Sequence, residues 1–181
     1  LNSTGTVLAV GAVHHGFVKG ENGGFGQVRV LTYDSANDSW DMIGNPIDGD
    51  IPDSWFGTSV SLSADGKTLA IGADRYEDKG LVRIYRFDDS TEQWKQLGQD
   101  LKGGGVGRSV SLVAREATFR LAVGPSANVY EYDVENETWV VLGSDSIGVL
   151  QNVTSIESVS LNASGDTVLL SGGDKASVFR F

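Results

Sequence analysis

The chain has 181 residues, 40% of them hydrophobic and 21% charged, with a net charge of −10 and no cysteine. That length is enough for one domain with a sizeable core. The charge disfavours nucleic acid and anionic membrane surfaces as partners, no apolar run reaches the roughly 18 residues that span a bilayer, and disulfide and thiolate chemistry are excluded.

Residues 1–12, LNSTGTVLAVGA, read as a polar turn followed by a strand. The loop 13–25 holds the only histidines, His14 and His15. Zinc needs three or four ligands and no third is evident here, so the pair reads as exposed loop. GQVRVLTY from Gly26 is the next strand, and Trp40-Asp41-Met42-Ile43-Gly44 the one after a polar turn. The link to the second unit carries the densest acidic cluster, Asp48-Gly49-Asp50 with Asp53. It reads as a solvated turn, with a hard-cation site built from three carboxylates and a flexible glycine as the alternative. Trp55 follows, outside the repeat; of the aromatics it is the first candidate for exposure, with core packing as the favoured reading.

The second unit is the clearest. Strand A at 58–63, TSVSLS, alternates apolar and polar residues with the period of a strand. Asp65-Gly66 predicts a tight hairpin turn into strand B, TLAIGA from Thr68. The small Ala70 and Gly72 suit a crowded inner strand. The charged loop 74–79 holds Arg75 and Tyr76, residue types enriched at binding hot spots. Strand C, LVRIYRF at 81–87, and strand D at 94–98 complete the unit.

After Gly103-Gly104-Gly105, read as a flexible link, the third unit replaces the Asp-Gly turn by Ala114-Arg115-Glu116-Ala117. That predicts a longer or differently shaped turn. Its B–C loop, Pro125-Ser126-Ala127, is very short. ANVYEYDV from Ala127 and Trp139-Val140-Val141-Leu142-Gly143 supply strands C and D. The fourth unit runs LNASGDTVLLSGG from Leu161 and ASVFRF from Ala176, with no strand D after Phe181.

One unit is thus written about four times with a period of roughly 50 residues, which predicts an all-β propeller of four-stranded antiparallel blades. Blade 1 occupies 1–44 in part, blade 2 56–98, blade 3 106–143, and blade 4 156–181 in part, about three and a half blades. Closed propellers have 4–8 blades. The chain therefore reads as a segment of a larger propeller, with completion by another copy as the alternative. Trp40, Trp94 and Trp139 are expected to pack each outer strand onto the next blade.

The string FGTSVSLSADGKTLAIGA followed by GLVRIYRF resembles FG-GAP-type propeller repeats, related in architecture to the head of integrin alpha chains. More closely it is similar to the FGxSVSLSxDGxxLAIGA repeats of large extracellular proteins of bacteria and algae. The resemblance implies a secreted or surface role in adhesion, scaffolding or carbohydrate binding. Calcium-binding members of that class carry several acidic and amide residues in the A–B turn. Ser63-Ala64-Asp65-Gly66-Lys67 offers one carboxylate, so calcium is not expected there. WD40 repeats also contain SxDGKTLAxG-like strings. Of their Trp-Asp dipeptides only Trp40-Asp41 is found, since Lys95 and Val140 follow the other two repeat tryptophans.

Five of the eight asparagines, Asn2, Asn37, Asn136, Asn152 and Asn162, head Asn-x-Ser/Thr sequons, where chance gives about one. They predict an extracellular or cell-surface glycoprotein, with turn chemistry alone as the alternative. The expected function is a non-catalytic structural, adhesion or binding module without a cofactor. Its ligand, protein or carbohydrate, would meet the loops bearing His14, His15, Trp55, Arg75 and Tyr76. The inner strands offer Ser59, Ser61, Ser109, Ser111, Ser158 and Ser160 but no acid except Glu157. Two alternatives stay open: a lactonase-like or glycan-active propeller enzyme, and an intracellular WD40-like scaffold.

Overall fold

The computed structural model describes residues 1–17, 23–115, 118–142 and 156–181. The described strands form four antiparallel sheets, each an up-and-down meander. The first has β1 (Val7–Ala12), β2 (Gln27–Asp34) and β3 (Ser39–Met42), with β4 (Ile47–Asp48) also paired to β2. The second has β5 (Ser59–Leu62), β6 (Thr68–Ala73), β7 (Leu81–Asp88) and β8 (Gln93–Gln96), with β9 (Leu101–Lys102) on β7. The third has β10 (Ser109–Arg115), β11 (Thr118–Gly124), β12 (Asn128–Asp133) and β13 (Thr138–Val141). The fourth stops at three strands, β14 (Ser158–Leu161), β15 (Thr167–Gly172) and β16 (Lys175–Arg180). No described helix is long and apolar enough to cross a membrane.

The core lies between the sheets. Val28 and Val30 of the first sheet pack with Leu69 and Ile71 of the second. Ala70, Val82 and Ile84 of the second pack with Val110, Leu121 and Val123 of the third. Ala122 and Val129 of the third meet Val159, Val168 and Leu170 of the fourth. Burial of these faces is the main favourable term holding neighbours together.

Two devices let the sheets approach. The first is the pair of glycines on the inner strands. A Cβ at Gly11 would overlap the Gly57 carbonyl, and one at Gly72 the Gly107 carbonyl. The second is the serine row. Ser61 Oγ accepts the Leu112 N–H at 2.9 Å, and Ser111 Oγ accepts the Leu161 N–H at 2.9 Å. Ser109 Oγ accepts the Val159 N–H at 3.1 Å, and Ser59 Oγ donates to the Gly107 carbonyl at 2.8 Å. Strand A's alternation has a use on both faces: apolar side chains fill the core, and hydroxyls pair with the next sheet's inner strand.

The tryptophans couple outer strands, and they point to the preceding sheet rather than the next one. Trp94 Nε1 donates to the Ile43 carbonyl at 3.0 Å, and Trp139 Nε1 to the Leu97 carbonyl at 2.8 Å. Trp40 belongs to the first sheet, has no such neighbour among the described residues and is 41% exposed. Trp55 is half-buried, so Trp40, not Trp55, is the exposed tryptophan.

Three turns take particular forms. The tight turn expected at Asp65-Gly66 is present but is not a type I′ pair, because only Gly66 has positive φ, at 75°. The turn closes instead through Ser63, whose carbonyl accepts the Gly66 N–H and whose N–H donates to the Thr68 carbonyl. In the third sheet the A–B connection takes the different form expected of it: pairing runs out to Arg115↔Thr118, with residues 116–117 outside the described residues. The glycine run 103–105 is tied down: Gly103 and Gly105 donate to the carbonyls of Gly80 and Lys79.

Candidate binding surface

The loop after β6 and the link before β5 meet. Arg75 N–H donates to the Ser54 carbonyl at 3.2 Å, which brings Arg75 over its neighbour Trp55. The Arg75 guanidinium carbon sits 3.7 Å from the Trp55 ring centroid, a cation–π contact. His14, from the loop after β1, meets the same indole edge-on at 6.3 Å and 81°. Trp55 Nε1 donates to Asp53 Oδ1 at 3.2 Å. Loops from two sheets and the link between them thus converge on one aromatic ring.

The backbone under that ring is strained. Trp55 and Asp53 both have φ of 58°. A left-handed conformation is rare for a bulky residue and costs about 1–2 kcal/mol. Such strain concentrates at binding and switch regions. Two buried acceptors lie beside the pair in sequence. Ser54 Oγ and Asp74 Oδ1 have no protein partner among the described residues. The other Asp74 oxygen is 3.6 Å from Arg108 Nε.

The remaining residues singled out above fall elsewhere. His15 lines a separate apolar hollow of about 370 Å³ with Val10, Ala12 and Leu31, so the two histidines part company. Tyr76 is not on the surface: it is 5% exposed and packs in the core between the first two sheets. Lys102 Nζ lies 4.7 Å from its ring centroid and 3.5 Å from its hydroxyl. That hydroxyl raises the pKa of Lys102. Tyr76 therefore supports the loop from within. The acidic cluster is dispersed as well. Asp48 accepts from Gln27 at 2.7 Å, Asp50 pairs with Arg83 at 2.8 Å, and Asp53 holds Trp55. Arg83 also bonds Asp100 at 2.8 Å, which raises the Arg83 pKa and lowers that of Asp100.

Four sequon asparagines lie in turns that use their side chains; Asn152 lies outside the described residues. Asn2 Oδ1 accepts from the N–H groups of Thr6 and Val7, at 2.9 and 3.0 Å. Asn162 Oδ1 accepts the Thr167 N–H at 3.1 Å, and its Nδ2 donates to Asp166 at 2.7 Å. Asn37 Nδ2 donates to Asp34 at 2.6 Å, and Asn136 Nδ2 to Asp133 at 2.7 Å. In the second sheet Ser63 takes the place of Asn2 and Asn162, while Thr91 takes that of Asn37 and Asn136, donating to Asp88 at 3.0 Å. Each position wants a short polar side chain that closes a turn, and Asn is one solution.

Sequence reasoning missed Asp53, Ser54 and Asp74 as parts of this surface. Their only signal was position, next to Trp55 and Arg75.

No protein-family model matches the chain, and no curated protein sequence matches it either. Solved structures do. The β-propeller domain of Cps50 (Swd1) from Myceliophteria thermophila aligns with a TM-score of 0.52 at 11% identity, over 86% of this chain and 50% of that one. The fold is a β-propeller. The propeller of Dos1 aligns with a TM-score of 0.53 at 15% identity, over 96% of this chain and 42% of that one. The chain thus spans half or less of the length of these propellers. The FG-GAP resemblance rests on its motifs alone.

Proposed function

We propose that this propeller is a non-catalytic interaction scaffold that binds a protein partner through the Trp55–Arg75–His14 surface. The carrying observation is the strained, half-buried Trp55 held between a guanidinium at 3.7 Å and an imidazole edge. Trp and Arg are the residue types that dominate protein-binding hot spots. The inner-strand serines favour the same reading over hydrolysis, since Ser59, Ser61, Ser109 and Ser111 are spent on hydrogen bonds between blades. The sequons do not fix a compartment, because turn closure accounts for Asn2, Asn37, Asn136 and Asn162 without a glycan.

The test is affinity capture from the protein's natural source, with wild type and a Trp55→Ala/Arg75→Ala double variant as baits. Circular dichroism checks that the variant is folded. A partner captured by the wild type and lost by the folded variant is expected. Equal capture by both refutes the assignment of this surface.

A further inference from the structure

Asp74 is bonded unlike the other half-buried aspartates. Asp34, Asp88, Asp100, Asp133 and Asp166 each accept at least two hydrogen bonds. The Asp74 side chain is only 10% exposed, and its Oδ1 is buried with no partner among the described residues. Its Oδ2 lies 3.6 Å from Arg108 Nε, beyond hydrogen-bond distance. A buried carboxylate is costly unless it is both paired and hydrogen-bonded.

The blade itself does not call for that acid. Strand pairing puts Gly72 at the position of Gly11, Gly124 and Ser171 in the other blades. Two residues on, the counterparts of Asp74 are Val13, Ser126 and Gly173. A packing need common to all blades is therefore not its reason. Ser54 is the second such group. It is 1% exposed, and its Oγ has no partner among the described residues. Its carbonyl accepts the Arg75 N–H at 3.2 Å, so both unpaired groups belong to the meeting of the link before β5 with the loop after β6. A carboxylate and a hydroxyl oxygen are both acceptors, and what satisfies the two together is a cationic donor. Arg75 is taken up by the Trp55 ring. Arg108 is 62% exposed, and its side chain makes no hydrogen bond among the described residues, so it can swing into solvent without breaking one. Glu77 and Asp78 stand exposed in the same loop, and the chain's net charge of −10 steers basic partners toward it.

We infer that the partner presents a basic side chain whose ammonium or guanidinium displaces Arg108 and donates to Asp74 Oδ1 and Ser54 Oγ. The basic group selects within the Trp55–Arg75–His14 surface proposed above, on which this reading rests. Trp55 supplies contact area, and Asp74 supplies the choice of charge. Arg108 holds the carboxylate in the free protein through one long contact and gives way to a donor that reaches both unpaired oxygens.

The probes are the N-acetyl methylamides of lysine, arginine and glutamate, each titrated into the full chain and followed through its backbone amide NMR signals. Saturable shifts at Ser54, Asp74 and Arg75 are expected with a basic probe at millimolar concentration, and none with the glutamate probe. Asp74→Asn should weaken binding at least about 10-fold. Arg108→Ala should strengthen it about 3-fold or more, because the competing cation is gone. Asp89→Asn removes the same charge from an exposed pair with Lys67 and should change affinity less than about twofold. Ser54→Ala should weaken binding about 3-fold or more, and it keeps the test open if Asp74→Asn fails to fold. No saturable shift at these residues with either basic probe overturns the inference. Equal losses in Asp74→Asn and Asp89→Asn overturn it too, since net charge alone then draws the probe. Binding of the glutamate probe that Arg108→Ala weakens overturns it in favour of an acidic partner. In affinity capture, a partner lost by Trp55→Ala/Arg75→Ala but kept by Asp74→Asn overturns the basic anchor and leaves the surface standing.

Discussion

Trp139 and Trp40 occupy the same place in their repeats yet should differ widely in energetic weight. Trp139 is 3% exposed, packs on Tyr132 at 5.2 Å and donates its indole N–H to the Leu97 carbonyl at 2.8 Å. Truncating a buried tryptophan to alanine costs about 3–5 kcal/mol, through lost burial and the cavity left behind. Trp139→Phe keeps much of the ring but removes the donor, which costs about 1–3 kcal/mol through the carbonyl left unpaired. Trp40 is 41% exposed and has Tyr33 at 5.4 Å. Its indole N–H has no acceptor among the described residues, so Trp40→Ala should cost about 0.5–1.5 kcal/mol, the worth of an aromatic pair.

Urea unfolding followed by far-ultraviolet circular dichroism separates these cases. With a denaturant slope of about 2 kcal/mol per molar, Trp139→Ala should lower the midpoint by about 1.5–2.5 M. Trp40→Ala should lower it by less than about 0.8 M on the same slope. Trp139→Phe should fall between them. Equal shifts for the two alanine variants would refute the claim that Trp139 draws its stabilisation from the carbonyl and surface of the preceding blade.

Two further predictions concern the inner strands and the turns. Ser111→Ala removes the acceptor of the Leu161 N–H and should cost about 1–3 kcal/mol, read by thermal melting and by faster exchange of the Leu161 amide; Ser160→Ala, at the exposed equivalent in blade 4, should change stability by less than about 0.5 kcal/mol. Hydrogen bonds from Asn37, Lys95, Asn136 and Asn162, respectively, are the largest cause lowering the pKa values of Asp34, Asp88, Asp133 and Asp166, the last to about 2. A carboxylate whose folded pKa lies below its unfolded value stabilises the fold above the unfolded pKa of about 3.9, and loses that contribution as pH falls through the folded value. The melting temperature should therefore hold from neutral pH down to about pH 5 and fall between about pH 4 and 2. Asn162→Ala should move the Asp166 pKa, measured by carbonyl NMR, up toward 3.9; an unmoved value would count against the turn bond.

The blades were legible in the sequence because a repeat states the same physical requirement several times over. Alternation in SVSL, small residues in LAIGA and a recurrent tryptophan each have one cause that acts in every copy. The direction of the tryptophan contact was not legible, because sequence spacing says that an outer strand meets a neighbour without saying which. Of the binding surface, Trp55 and Arg75 could be named as residue types, and His14 as a loop residue. Their meeting depends on a hydrogen bond from Arg75 N–H to the Ser54 carbonyl and on positive φ at Trp55. Neither leaves a mark in the chain. Tyr76 has the same hot-spot chemistry as its neighbour Arg75, but a short helical turn at Tyr76–Asp78 buries its ring.

The sequons show how one pattern arises from two separate constraints. Strand C ends in Asp34, Asp88 or Asp133, and each carboxylate is closed by a donor three residues on: Asn37, Thr91 or Asn136. The next residue takes positive φ in all three copies, at 51° for Asp38, 53° for Glu92 and 54° for Glu137. Strand D begins one residue later, and Ser39 and Thr138 are ordinary openings for a strand. An Asn chosen to close the turn and a hydroxyl residue chosen to start the strand stand two apart, and the sequon is complete. Where Thr91 closes the turn and Gln93 opens the strand, the sequon vanishes and the turn keeps its shape. Two of the five sequons, at Asn37 and Asn136, therefore sit in a turn repeated around the propeller, and the same turn supplies Asp34, Asp88 and Asp133 among the acid-sensitive carboxylates.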